Sequence, residues 1–185
     1  MWLTEIASLA TAFAVFLLAY QIYLQRKDQR NQAIARLFDE LVTLEFRRQL
    51  LFIYSRKPED LVVSKLTDSE REMVEDVTAR FDGLGFRVRK RIIPKKESLE
   101  LFWDLVVRSA QQLRPHIQDQ RDKRQEKQGA FRKYREYKAD FDWLARECKL
   151  FHLQGVGQKI SQKDISLDEL LQLEPLPIFT AHTSS

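Results

Sequence analysis

A thiol and an imidazole stand four residues apart at Cys148 and His152, a spacing that places both on one face of a helix. Thiolate and imidazole are good zinc ligands, and the same pair could begin a nucleophile–base arrangement. Neither chemistry is completed by the rest of the chain. A closed zinc site takes four ligands, and the sequence holds one cysteine and three histidines. Cys148 could meet His116 or His152 in space, but it falls inside an apolar stripe, where thiols are inert. No nucleophile elbow surrounds any serine, and neither GxxxxGK[ST] nor GxGxxG occurs. Gly155-Val156-Gly157 is an isolated fragment. Carboxylates such as Glu75-Asp76 or Asp140 with Asp142 read as solvated helix faces. The residues call for no metal, no cofactor and no catalytic centre, which points away from an enzyme and towards binding.

Two stretches carry binding chemistry. Arg87, Arg89, Lys90, Arg91, Lys95 and Lys96 form the densest basic cluster, with no acid before Glu97. Together with Arg26, Lys27 and Arg30, the cations Arg87, Arg89, Lys90 and Arg91 are candidates for contact with anionic headgroups. Each such charge contributes on the order of 1 kcal/mol near a charged bilayer. The competing reading is a solvated loop. Nucleic acid is disfavoured: 31 basic residues are set against 27 acidic ones, for a net charge of +4, and no recognition motif appears. The second stretch, Ile165 to Phe179, mixes acids with Leu167, Leu170, Leu171, Leu173, Ile178 and Phe179. These are candidates for docking a protein partner in a groove, and the competing reading is a capping segment packed on its own bundle.

The elements that position these residues begin with an uncharged run, IASLATAFAVFLLAYQIYL, from Ile6 to Leu24. About 19 residues of helix span roughly 28 Å, close to a bilayer's hydrocarbon core. Trp2, Tyr20 and Tyr23 suit the two interfaces. A cleaved signal peptide would need a positive leading segment and a small-residue cleavage site. Here Glu5 precedes the run and bulky residues end it. A buried helix of a soluble protein is the other competitor. Arg26, Lys27 and Arg30 after the run, against Glu5 before it, predict the N-terminus outside and the remaining chain in the cytoplasm. Ala7, Thr11 and Ala14 offer a small-residue face for self-association, without GxxxG.

Beyond the run, the absence of Gly and Pro from Gln25 to Tyr54 predicts one unbroken helix ending near Ser55. Thr67-Asp68-Ser69-Glu70 matches a capping box and starts a second helix, carrying Met73, Val74, Val77 and Phe81 on one face. Gly83 and Gly85 are expected to stop it. Pro94 suits the start of a third, with Leu99, Phe102, Trp103, Val106, Ala110 and Leu113 as its stripe. Pro115 is expected to end that helix or open the next connection. A last long helix is expected to carry Phe131, Tyr134, Tyr137, Phe141, Leu144, Cys148 and Phe151. Ser166-Leu167-Asp168-Glu169 is a second capping box in the tail. The expectation is an all-α protein. Residues 1–25 form a transmembrane anchor, 26–153 an antiparallel bundle of about four helices, and 154–185 a tail with a short amphipathic helix.

The stretch from Phe81 to Phe151 resembles a bacterial family of small helical proteins of unknown function. The residues that carry the likeness are Phe81, Leu84, Gly85, Arg89, Ile92, Ile93, Leu101-Phe102-Trp103, Arg108, Leu113-Arg114-Pro115-His116-Ile117, Arg121, Tyr134 and Phe141 to Arg146. The resemblance covers a third to a half of the chain. It implies a helical fold, often behind an N-terminal membrane helix, and no activity. The functional expectation is a membrane-anchored interaction or scaffold module, such as an accessory subunit of a membrane complex, with a protein partner or a second copy of itself. The alternatives are an anionic-lipid-binding or self-assembling membrane protein, or a sensor or enzyme with an unfamiliar site.

Overall fold

A computed structural model describes residues 2–128, 138–155 and 165–173, with side chains from residue 13 onward and without those of 125–128. Six α-helices account for most of it: α1 Trp2–Val42, α2 Leu44–Ser55, α3 Asp68–Arg89, α4 Lys95–Gln128, α5 Ala139–Gly155 and α6 Leu167–Gln172. Two short 3-10 turns, Pro58–Asp60 and Val63–Lys65, lie between α2 and α3. No strand occurs among the described residues, so the fold is all-α. The chain divides into two compact units, Met1–Glu40 and Leu41–Ser185.

The first unit is helical throughout its described length, and its side chains from Phe13 to Leu24 face outward. Among the described residues, no helix is long and apolar enough to cross a membrane. Residues 6–12 of the run Ile6–Leu24 lie outside the residues whose side chains are described.

The second unit is a helical bundle. The expected single helix through Tyr54 is instead broken at Thr43, whose extended backbone (φ −57°, ψ 146°) ends α1. Its hydroxyl accepts a hydrogen bond from the Phe46 amide at 3.2 Å and so caps α2. The break lets α2 turn Phe46, Leu50 and Ile53 into the core. Phe46 meets Phe81 of α3 edge-on, with centroids 5.8 Å apart. Phe81 in turn stacks on Phe141 of α5 at 5.1 Å. These three rings tie the helices together, each at most 1% exposed. From α4, Val106, Val107, Leu113 and Ile117 fill the remaining interior.

The capping box of α3 forms as the sequence predicts: the Glu70 amide donates to Thr67 Oγ1 at 3.3 Å, and the Thr67 amide donates to Glu70 Oε2 at 3.0 Å. The two expected stops do not hold. α3 runs past both glycines to Arg89. Gly85 serves close packing instead, since a Cβ there would fall 2.1 Å from the Asp140 carbonyl oxygen of α5. A missing side chain is what lets the two backbones approach. α4 likewise continues through Pro115, because the residues flanking it, Leu113 and Ile117, are both anchored in the core. α5 begins at Ala139. Of the stripe expected for the last long helix, Phe131, Tyr134 and Tyr137 lie outside the described residues. Its first amides are capped from a distance: those of Asp140 and Phe141 both donate to Asp82 Oδ1 of α3, each at 3.0 Å.

Candidate functional site

The turn between α3 and α4 presents the basic cluster. α3 closes with Lys90 as its C-cap, followed by Arg91 at φ 57°. The Ile92 amide donates to the Arg87 carbonyl at 2.9 Å, and the Arg91 amide to the Val88 carbonyl at 3.0 Å. This is a Schellman closure with arginine at the left-handed position that glycine ordinarily fills. Such a closure usually buries the next apolar residue against the helix. Here Ile92 is 56% exposed, and it is Ile93 that enters the core at 2%.

The cations around this tip divide into two groups. Arg89 donates to Asp140 Oδ1 at 3.2 Å, across to the start of α5. Lys95 pairs with Glu147 at 2.6 Å and lies over the Trp143 ring at 5.7 Å. Lys96 reaches Glu100 at 3.8 Å. Arg87 is half-buried and engaged within the fold. Lys90 and Arg91 are exposed and make no ion pair among the described residues. On α1, Arg26, Lys27 and Arg30 are exposed. Of the seven cations proposed for lipid, Arg89 is thus largely committed to holding α5.

The tail docks on its own bundle. Leu170 and Leu171 are 1% and 6% exposed, and Leu170 packs with Leu150, Leu153 and Ile165. Leu167 is half-buried, Leu173 is exposed, and Ile178 and Phe179 lie outside the described residues. Polar contacts hold the short helix in place. Arg114 of α4 donates to Asp168 at 2.5 and 3.1 Å, and to Asp142 of α5 at 3.1 and 3.2 Å. Burial alone would weaken the Arg114 charge, but the two carboxylates more than offset it. Arg121 adds a 2.8 Å bond to Asp142. Gln111 Nε2 donates to the Leu171 carbonyl and Arg146 to that of Ile165, both at 2.8 Å. Leu170 and Leu171 are therefore spent on the chain's own core and are not presented to a partner.

The remaining chemistry-bearing residues have structural partners. Cys148 is fully buried, and burial pushes its thiol well above the ordinary range. The His152 ring stacks on Trp103, with centroids 4.2 Å apart and planes 10° from parallel. No group of three or more His, Cys, Asp or Glu capable of holding a metal occurs among the described residues. His116 is fully buried. Its Nδ1 lies 2.9 Å from the Leu61 carbonyl and its Nε2 3.4 Å from Glu75 Oε1. Neighbouring α4 side chains hold the same α2–α3 connection: Asp119 accepts from the Val63 amide at 2.9 Å, and Gln112 donates to the carbonyls of Ile53 and Arg56. A polar row along α4 thus serves backbone groups at the end of α2 and in the α2–α3 connection.

Sequence reasoning missed Asp82, the packing role of Gly85, and the pairing of Arg114 with Asp142 and Asp168. No local signal marks them, because their partners lie 28 to 59 residues away. No protein-family model matches this chain, and no curated protein or solved structure matches it either.

Proposed function

We propose that the chain is a membrane-anchored helical module, with α1 as its anchor and Leu41–Ser185 as an interaction domain kept beside the bilayer. The observation that carries this reading is the exposure of Phe13, Val15, Phe16, Leu17, Leu18, Tyr20, Ile22, Tyr23 and Leu24, each between 40% and 68% exposed. Nine large apolar side chains left this open in water cost on the order of 10 kcal/mol relative to an apolar environment. A bilayer supplies that environment to a lone helix, and the uncharged sequence extends back to Ile6. The cations Arg26, Lys27 and Arg30 follow the run and favour a cytoplasmic domain.

An interaction role fits the chemistry of the domain. Among the described residues, His116, His152 and Cys148 are engaged in packing and hydrogen bonds. Anchoring raises the effective concentration of weak contacts at the membrane. The test is alkaline carbonate extraction and vesicle flotation of the full chain. The expected result is retention with lipid, abolished by Leu17→Arg with Leu18→Arg. Recovery in the aqueous fraction would overturn the anchor, and recovery there as a discrete oligomer would assign the apolar face of α1 to a second copy. Cross-linking in native membranes tests the scaffold role: a partner of fixed stoichiometry supports it, and recovery of the chain alone counts against it.

A further inference from the structure

We infer that the α3–α4 turn is a second membrane contact, in which Ile92 enters the interface of an anionic bilayer while Lys90 and Arg91 engage its headgroups. The inference rests on the anchored reading, which supplies the lipid surface in cis, and it deepens that reading by giving the domain a face that meets lipid.

Three observations converge on this tip. Ile92 is a large apolar side chain 56% exposed at the end of a turn, in the position that a Schellman closure normally buries. The surrounding charge is predominantly positive: residues 87–100 hold six cations against Glu97 and Glu100. Of these cations, Arg87 is engaged within the fold and Arg89, Lys95 and Lys96 answer Asp140, Glu147 and Glu100, which leaves Lys90 and Arg91 beside Ile92 without an ion pair among the described residues. An apolar tip flanked by unpaired cations matches a surface of lipid headgroups over hydrocarbon.

The third observation is the backbone. Arg91 adopts φ 57°, a region where a side chain is disfavoured and glycine is not. Arginine here forgoes the more comfortable residue and in exchange holds a guanidinium at the tip. Strain retained at a site that packing does not require points to a use for the side chain.

The experiment uses the full chain reconstituted in vesicles of phosphatidylcholine, with or without phosphatidylglycerol. Ile92→Cys carries an environment-sensitive fluorophore, and a matched label at Gln172 reports a surface far along the sequence. Cys148, being buried, takes no label. The expected result is a blue shift and quenching by spin-labelled lipid at position 92 only, and only with phosphatidylglycerol. Removing each cation (Lys90→Gln, Arg91→Gln) should weaken insertion about fivefold, or roughly 30-fold together. Arg91→Gly is the decisive variant. It relieves the backbone, so the fold gains stability, yet it should weaken insertion as much as Arg91→Gln does. An aqueous signal at position 92 in a chain that still floats with vesicles overturns the tip contact and leaves the anchor standing. A chain released from vesicles by salt but quenched at position 92 before release upholds the tip and overturns the anchor. Equal insertion into both vesicle types would overturn the role of the cations.

Discussion

Two glycines sit two residues apart in α3, and the structure predicts opposite outcomes for the same substitution. At Gly83 a new Cβ meets nothing within 4 Å, so Gly83→Ala gains the helix propensity of alanine, about 1 kcal/mol. At Gly85 the same methyl falls 2.1 Å from the Asp140 carbonyl oxygen and 2.6 Å from its carbon. Those are backbone atoms of α5 and cannot rotate away. Relief requires α5 to move outward by more than 1 Å, with overpacking of this kind costing ~1–3 kcal/mol. That movement loosens the bonds from Asp82 to the first amides of α5, caps that contribute about 1 kcal/mol each. It also disturbs the stacking of Phe81 on Phe141. Against the same propensity gain, Gly85→Ala should destabilise by about 2–3 kcal/mol, leaving the two variants roughly 3–4 kcal/mol apart. Urea unfolding in mild detergent, followed by tryptophan fluorescence, measures both. A Gly85→Ala midpoint equal to or above that of Gly83→Ala would refute the close α3–α5 approach and the account of α5 built on it.

The remaining predictions concern the tip, the tail and the buried thiol. Arg91→Gly should raise stability by about 0.5–1 kcal/mol in the same unfolding assay, because glycine carries no penalty at φ 57°. Arg114→Met should free α6. It leaves Asp168 without its partner and Asp142 with Arg121 alone, and hydrogen exchange at the amides of Leu170 and Leu173 should quicken at least tenfold (~1.4 kcal/mol) while α3 stays protected. Glu169 is held below its ordinary value of 4.5, first by the Ser166 backbone amide and then by the Ser166 hydroxyl. A carboxylate depressed in the folded state contributes stability above its unfolded value and loses it as pH falls through the folded one. α6 protection should therefore decline below about pH 4.5, and Glu169→Gln should flatten that dependence. Cys148 should resist maleimide until the domain unfolds, since it is fully buried and its thiolate is disfavoured.

The legible parts of this protein are those written within one or two turns of helix. The capping boxes at Thr67–Glu70 and Ser166–Glu169 form as the spacing requires, because each is a contact between residues three apart. The stripes that bury Val74, Val77, Phe81, Leu144 and Cys148 follow helical period for the same reason. The apolar run from Ile6 and the basic cluster were plain as composition. What the sequence could not decide was competition between local signals and distant partners. Gly83 and Gly85 look alike as helix stops. Only the approach of Asp140, 55 residues on from Gly85, makes one a packing position and the other an open site. Thr43 is an ordinary residue until the burial of Phe46, Leu50 and Ile53 makes a cap there worth a break in the helix. Leu170 and Leu171 read either as bait for a partner or as core, and in the fold they are buried, with Arg114 bonded to an aspartate 54 residues away beside them. Local hydrogen bonds belong to the sequence because chain connectivity brings their partners together. Burial and ion pairing between helices belong to the tertiary structure because only the folded packing does.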